Sequence, residues 1–242
     1  MSNIKSEFSP QLYARAGGTA YLILIVAGLI GEMFIRNRLI ISGDPAGTAH
    51  NILMHLLQWR ISIASDLIMH ICDAVVAMVY YVLLKPVNKN LALVALYLGL
   101  VQTAVLVANK MNLVMPLLFL GNSAYLNSLD PHTLQTLAYL SVAAHDYGFG
   151  IGLIFFGCEC LIAGYLIFKS GYFPRILGIM IQIAGICYLV NSFALILSPA
   201  LVHALFPVIL LPSFIGELSM SLWLLFKGVD LTKWKERAIA NA

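Results

Sequence analysis

Charged side chains are scarce: they make up 10% of the 242 residues, against roughly 25% in soluble domains. With a mean hydropathy of +0.90, the composition excludes a soluble fold. The apolar runs are long and unbroken instead of alternating, which excludes a transmembrane β-barrel. A net charge of +3 is too small to point to nucleic acid. His-Glu-x-x-His, the P-loop and Gly-x-Ser-x-Gly are all missing, and no helix carries the histidine pair of a di-haem bundle. The four cysteines, Cys72, Cys158, Cys160 and Cys187, all fall in apolar runs, where a disulfide framework is not expected. Cys158-Glu159-Cys160 is too closely spaced for a zinc pair, so the four read as small buried apolar residues. Met1 to Pro10 lacks a signal-peptide pattern, and the first apolar run is expected to act as the uncleaved insertion signal.

What is present is a set of six apolar runs: about 13–35, 60–84, 91–118, 146–168, 176–197 and 206–226. Each supplies the ~20 residues that cross a ~30 Å hydrocarbon core. The expected fold is all-α, a single membrane domain over residues 1–242 with six transmembrane helices and short amphipathic outer helices. Basic residues set the orientation. Lys5, Arg15, Lys85, Lys89, Lys169, Arg175, Lys227, Lys233, Lys235 and Arg237 fall on the side of the termini, against Arg36, Arg38 and Arg60 on the other, with Lys110 inside the third run. That bias predicts both termini in the cytoplasm of a plasma (inner) membrane. Asp44-Pro45 and Asp130-Pro131 read as N-caps followed by proline at the first helical position. The amphipathic stretches behind them, 49–59 and 133–144, are expected to lie at the interface or to extend the next span. The recurrence suggests an internal duplication of 44–118 and 130–197, each unit having a glycine and a glutamine in its outward span (Gly99 and Gln102; Gly178 and Gln182).

The second run carries the most informative pattern. Asp66, His70 and Asp73 fall at i, i+4 and i+7, on one helical face. One charged residue at the centre of a membrane helix costs ~2.5–3.5 kcal/mol on insertion scales, so such groups are kept to pair, to bind or to carry protons. Glu32, Lys110, His145, Asp146, Glu159 and Glu217 join them within or at the edge of the core. Six carboxylates thus face one lysine, with Arg36 and Arg60 able to reach back to one acid each. About three acids are left over, a surplus that protons or a bound cation must balance. Locally, Glu32 can pair with Arg36 at i+4, and Asp66 with Arg60 or Lys110. His145-Asp146 can be a cap before the glycine-rich 148–152 stretch. Glu217 follows Pro212 and Gly216, where a kink is expected. Tyrosines and tryptophans read as interfacial anchors or packing.

Several segments carry a family resemblance: Arg15-Ala-Gly-Gly-Thr-Ala-Tyr21, Gly28-Leu-Ile-Gly-Glu32 with Arg36, Leu84-Lys-Pro-Val-Asn88-Lys-Asn-Leu91, Gly164-Tyr-Leu-Ile-Phe-Lys-Ser-Gly-Tyr-Phe-Pro174-Arg175 and Glu217-Leu-Ser-Met-Ser-Leu-Trp223. Over nearly its whole length the chain resembles a bacterial membrane family catalogued as domain of unknown function 4386. The resemblance implies the fold and the membrane class and brings no activity with it.

Three functional readings stay open. In the first, the polar cluster binds or transports a cation, protons or a small-molecule substrate, with Asp66, His70, Asp73 and Glu217 in contact and Glu32, Lys110, His145 and Asp146 tuning the charge. In the second, Asp66, His70, Asp73 and His145 hold a divalent metal and its water in a hydrolase or transferase acting on lipid. In the third, a structural or regulatory subunit uses these groups only to fix packing. The lipid bilayer is the one partner common to all three.

Overall fold

A computed structural model describes residues 9–205 and 207–241; Lys5 and Phe206 lie outside them. The described chain is helical, with six helices long and apolar enough to cross a membrane: Pro10–Leu39, Leu56–Leu84, Lys89–Phe119, Pro131–Ser170, Arg175–Leu197 and Val208–Phe226. They pack in chain order, each against the next, and the sixth closes on the first, with a smaller contact between the second and fourth across the middle. The result is a closed ring of antiparallel helices.

Helix starts follow the capping chemistry legible in the sequence. Asp44 accepts from the Gly47 N–H at 2.9 Å and caps the outer helix Pro45–Met54. Asp130 accepts from the N–H of Thr133 at 3.0 Å and from its hydroxyl at 2.6 Å. These bonds satisfy donors that a helix start leaves open. They also hold the Asp130 carboxyl below the usual carboxylate range, the hydroxyl bond first. The two outer helices differ. Pro45–Met54 is separated from the second span at His55, whereas the stretch behind Pro131 runs without a break into the fourth span, 40 residues in all. Of the two expected arrangements, the first capped helix stands apart and the second extends its span.

Three local features depart from expectation. Pro212 causes no kink: it lies in the first turn of Leu211–Phe226, where its missing N–H has no intrahelical partner to lose. The third span instead breaks at Lys110, between Lys89–Asn109 and Met111–Phe119. The first span changes to π-helix over Leu29–Arg36, a form common at functional sites. A further helix, Leu231–Ala240, follows the last span. Trp234 Nε1 donates from it to the Leu83 carbonyl at 3.0 Å. Tyr172 hydroxyl donates to the same carbonyl at 2.7 Å, and burial pushes its phenol up, keeping the donor proton in place.

Packing along the ring axis is layered. At the end bearing the termini, Leu83, Leu84, Leu166, Ile167, Phe173 and Leu224 form a dense apolar plug. At the far end a smaller apolar cap is built from Leu39, Ile52, Trp59, Ile63, Leu113 and Val142. The polar groups lie between the two. Glycines bring the fourth and fifth spans together: a Cβ on Gly178 would stand 2.6 Å from the Gly164 carbonyl oxygen and 2.6 Å from the Phe168 nitrogen, both backbone atoms that cannot step aside, as in small-residue membrane contacts. Gly178→Ala is expected to destabilise the bundle by about 1–3 kcal/mol. Reversible unfolding in mixed micelles measures this, and wild-type stability would refute the close-contact reading.

Candidate functional site

The sequence-predicted residues separate into two groups. The first lies towards the far end of the ring. Asp66, fully buried, accepts from Lys110 Nζ at 2.7 Å and pairs with Arg36 Nη1 at 2.9 Å. Arg36 also holds Glu32 at 2.8 Å. Lys110 Nζ lies 3.1 Å from His145 Nε2. Because an ammonium can only donate, Nε2 accepts and the ring proton sits on Nδ1, which faces Asp146 Oδ1 at 3.6 Å. The contacts thus run Glu32, Arg36, Asp66, Lys110, His145, Asp146.

Local structure explains these placements. The π-helical segment turns Arg36 inward, and Gly31 lacks the Cβ that would collide with Asp66 Oδ1. The break at Lys110 directs its side chain to Asp66. Gly148 leaves room for Asn109, which donates to the His145 carbonyl at 2.9 Å. Arg60 is exposed and makes no ion pair among the described residues. Arg36 takes the role expected of it, because the π turn shortens the reach. The side chains of Glu32 and Asp146 are 54% and 69% exposed, so neither is sequestered as the sequence count assumed. The ion-paired part of the network is balanced, with two cations (Arg36, Lys110) against two carboxylates (Glu32, Asp66); Asp146, at its exposed end, faces only His145.

The second group lies deeper, roughly midway along the spans. A chamber there, with room for about one water-sized sphere (≈ 10 Å³), is lined by Tyr21, Asp73, Tyr80, Glu159 and Cys160 among others. Asp73 accepts from the Thr103 hydroxyl at 2.9 Å and lies against Gln102, whose Oε1 is otherwise unpaired. Glu217 accepts from the Tyr188 hydroxyl, with Tyr21 beside the same carboxyl. Glu159 has no hydrogen bond or ion pair among the described residues, and Asp73 and Glu217 both lie within electrostatic reach of it. Gly99 makes its space: a Cβ there would come within 2.5 Å of Glu159 Oε2. Asp73, Glu159 and Glu217 are each at least nine-tenths buried, and no basic side chain reaches any of them among the described residues.

His70 lies between the groups. It is 2% exposed, and neither ring nitrogen has a partner. Asp66, His70 and Asp73 do share the buried face that their spacing predicts. They are not one site, because both cations are drawn to Asp66 and none reaches Asp73. Glu217 belongs with Asp73, and His145 with Asp66. Among the described residues no three His, Cys, Asp or Glu side chains are grouped as metal ligands.

Residues the sequence reading passed over include Tyr21, Tyr80 and Tyr188, taken as packing, and Glu159, left outside the site. Tyr80 carried a signal: at i+7 from Asp73 it continues the Asp66–His70–Asp73 face. Its apolar run marked Glu159 as a core carboxylate, but nothing local placed it beside Asp73, because its space comes from a glycine on another span.

Asp66→Ala would leave Arg36 and Lys110 buried without their shared acid. The expected loss is about 3–5 kcal/mol of stability, read from unfolding in mixed micelles. A loss below about 1 kcal/mol, the range of exposed pairs, would show that the network is not buried in the membrane-embedded protein.

Comparison with known proteins follows the same lines. An "Uncharacterized protein" of the archaeon Archaeoglobus fulgidus is 26% identical over 181 residues, covering 75% of this chain and 92% of the relative. No solved structure matches. The family profile described as "Domain of unknown function (DUF4386)" matches residues 16–228, which takes in all six spans nearly complete. The chain belongs to this family, DUF4386.

Proposed function

We propose that the protein binds and transports a small positive charge, a proton or a monatomic cation, at Asp73, Glu159 and Glu217. One observation carries this reading: two buried carboxyls, Asp73 and Glu159, line one chamber, buried Glu217 lies within electrostatic reach of Glu159, and no basic side chain pairs with any of the three among the described residues. Burying ionised carboxylates without compensation is prohibitive. The balancing charge therefore has to come from outside the protein. The chamber's size supports a proton or a single ion over an organic substrate, since it holds about one water. Thr103, Tyr188 and Tyr21 supply neutral polar contacts that tolerate a charge arriving and leaving.

The Asp66 network supports a structural role, because its charges already cancel. A divalent metal at Asp66, His70, Asp73 and His145 would first have to displace Arg36 and Lys110 from Asp66, against repulsion between like charges. The basic bias of ten residues against three supports a plasma membrane setting with the termini inward.

Infrared spectroscopy of the protein in lipid nanodiscs tests the reading. Protonated carboxyls show a C=O stretch that ionised ones lack. In sodium- and potassium-free buffer at neutral pH this band is expected in the wild type, and reduced in each of Asp73→Asn, Glu159→Gln and Glu217→Gln. If a monatomic cation is the natural occupant, adding it removes the band. A wild-type protein with no such band and no ion dependence would overturn the proposal.

A further inference from the structure

If the acid chamber is the exchange site proposed above, its charge needs a way in, and the two ends of the ring offer unequal routes. Towards the termini the chamber meets the apolar plug of Leu83, Leu84, Leu166, Ile167, Phe173 and Leu224. None of these side chains can pass a proton. Towards the far end lies the Asp66 network, whose contacts of 2.7–3.6 Å run to two exposed carboxylates, Glu32 and Asp146. The Glu32 arm passes through the Arg36 guanidinium, which keeps its protons, so the arm through Asp146 and His145 is the one that can relay a proton. The apolar cap above the network closes the axis, while the Glu32 and Asp146 side chains stay exposed at the sides of the ring.

Between network and chamber, on the face of the second span that carries Asp66 and Asp73, stands His70. Across the ring at about the same level the fifth span contributes the buried Asn191 and Ser192, neither of which titrates. On its own helix His70 is about 6 Å below Asp66 and 4.5 Å above Asp73, at 1.5 Å per residue. The charged groups acting on it from above are Lys110 of the third span, Asp66, His145 of the fourth span and Arg36 of the first. Below it lie Asp73, Glu159 of the fourth span and Glu217 of the sixth. The fifth span carries no charged residue beyond Arg175. Leaving both nitrogens of a buried imidazole unbonded is costly, and an apolar residue of similar size would avoid that cost.

We propose that His70 is the proton gate between the far-end network and the acid chamber. This conformation is its closed state, with the imidazole disconnected from both sides. Rotation about its side-chain bonds brings one ring nitrogen to the network and the other to Asp73. A proton from water at the far surface joins the ring at one nitrogen. The proton on the other nitrogen passes to an Asp73 carboxylate oxygen. Only N–H and O–H bonds form and break, and the balance is one hydronium and one carboxylate giving water and one carboxylic acid. The route opens to the far side alone. The plug makes the protein closed towards its termini in this conformation.

The test follows the return of the carboxyl C=O band in lipid vesicles after a rapid pH drop from an alkaline pH at which the band has been lost. His70→Gln and His70→Asn, which keep a polar side chain of similar size, are expected to slow the band's appearance at least about tenfold with its final amplitude unchanged. An unchanged rate in a folded variant overturns the gate and leaves the chamber standing. A band absent from the wild type under every ion condition removes the chamber, and the gate with it. The wild type gives a second measurement that needs no substitution. In vesicles of known protein orientation, a pH drop at the far side should protonate the chamber faster than one at the terminal side. Equal rates, or the reverse order, overturn the gate.

Discussion

Asp66 takes both of the positive charges buried among the described residues. Arg36 and Lys110 converge on it from the first and third spans, and removing either partner would strand a charge in a low-dielectric interior. Much of the local backbone serves that convergence: the π-helical turn that swings Arg36 inward, Gly31 beneath it, and the break that directs Lys110. Because both cations are committed there, nothing basic remains for Asp73, Glu159 and Glu217. The electrostatic neutrality of one layer creates the charge deficit of the next.

The layering gives the deficit a direction. A layer of three acids bounded on one side by close-packed leucine and phenylalanine, and on the other by an unpartnered histidine under a polar network, is asymmetric along the ring axis. Exchange of a small positive charge across such a structure requires either side chains that rotate or helices that shift. The glycine contacts between the fourth and fifth spans place backbone against backbone, which favours rigid-body movement of that pair over bending within it. The third span, broken at Lys110, and the first, with its π turn, have a different mechanical character. They meet the network where the charge would enter.

Membrane class, helix number and the capped outer helices were legible in the sequence because each depends on local signals: the length and apolarity of the runs, and the Asp-Pro pairs. The helical face shared by Asp66, His70 and Asp73 was legible for the same reason. The partition of that face was not. It turns on Arg36, whose reach to Asp66 needs a π-helical turn that no local motif announces, and on Lys110, whose span breaks at a residue flanked by ordinary helix formers. Glu159 was counted among the core carboxylates but not placed with Asp73 and Glu217, because its place is defined by Gly99 on a neighbouring helix. Pro212 misled in the other direction, since its effect depends on how far into the helix it falls. The expected surplus of about three acids holds in the structure by a different count: Glu32 and Asp146 are exposed, and Asp66 alone absorbs two cations.

Sequestered positive charge is measured most directly by its release. Folded protein in mild detergent, free of added alkali cations, is unfolded by a denaturing detergent at a pH of about 7.5, where the free histidine and cysteine side chains contribute little and in opposite senses. A glass electrode and ion-selective electrodes then record what enters solution. At least one proton or monatomic cation per chain should appear for the wild type, and none for the Asp73→Asn, Glu159→Gln, Glu217→Gln triple variant. Wild-type unfolding with no release of either kind would contradict the charge deficit on which the proposed site depends.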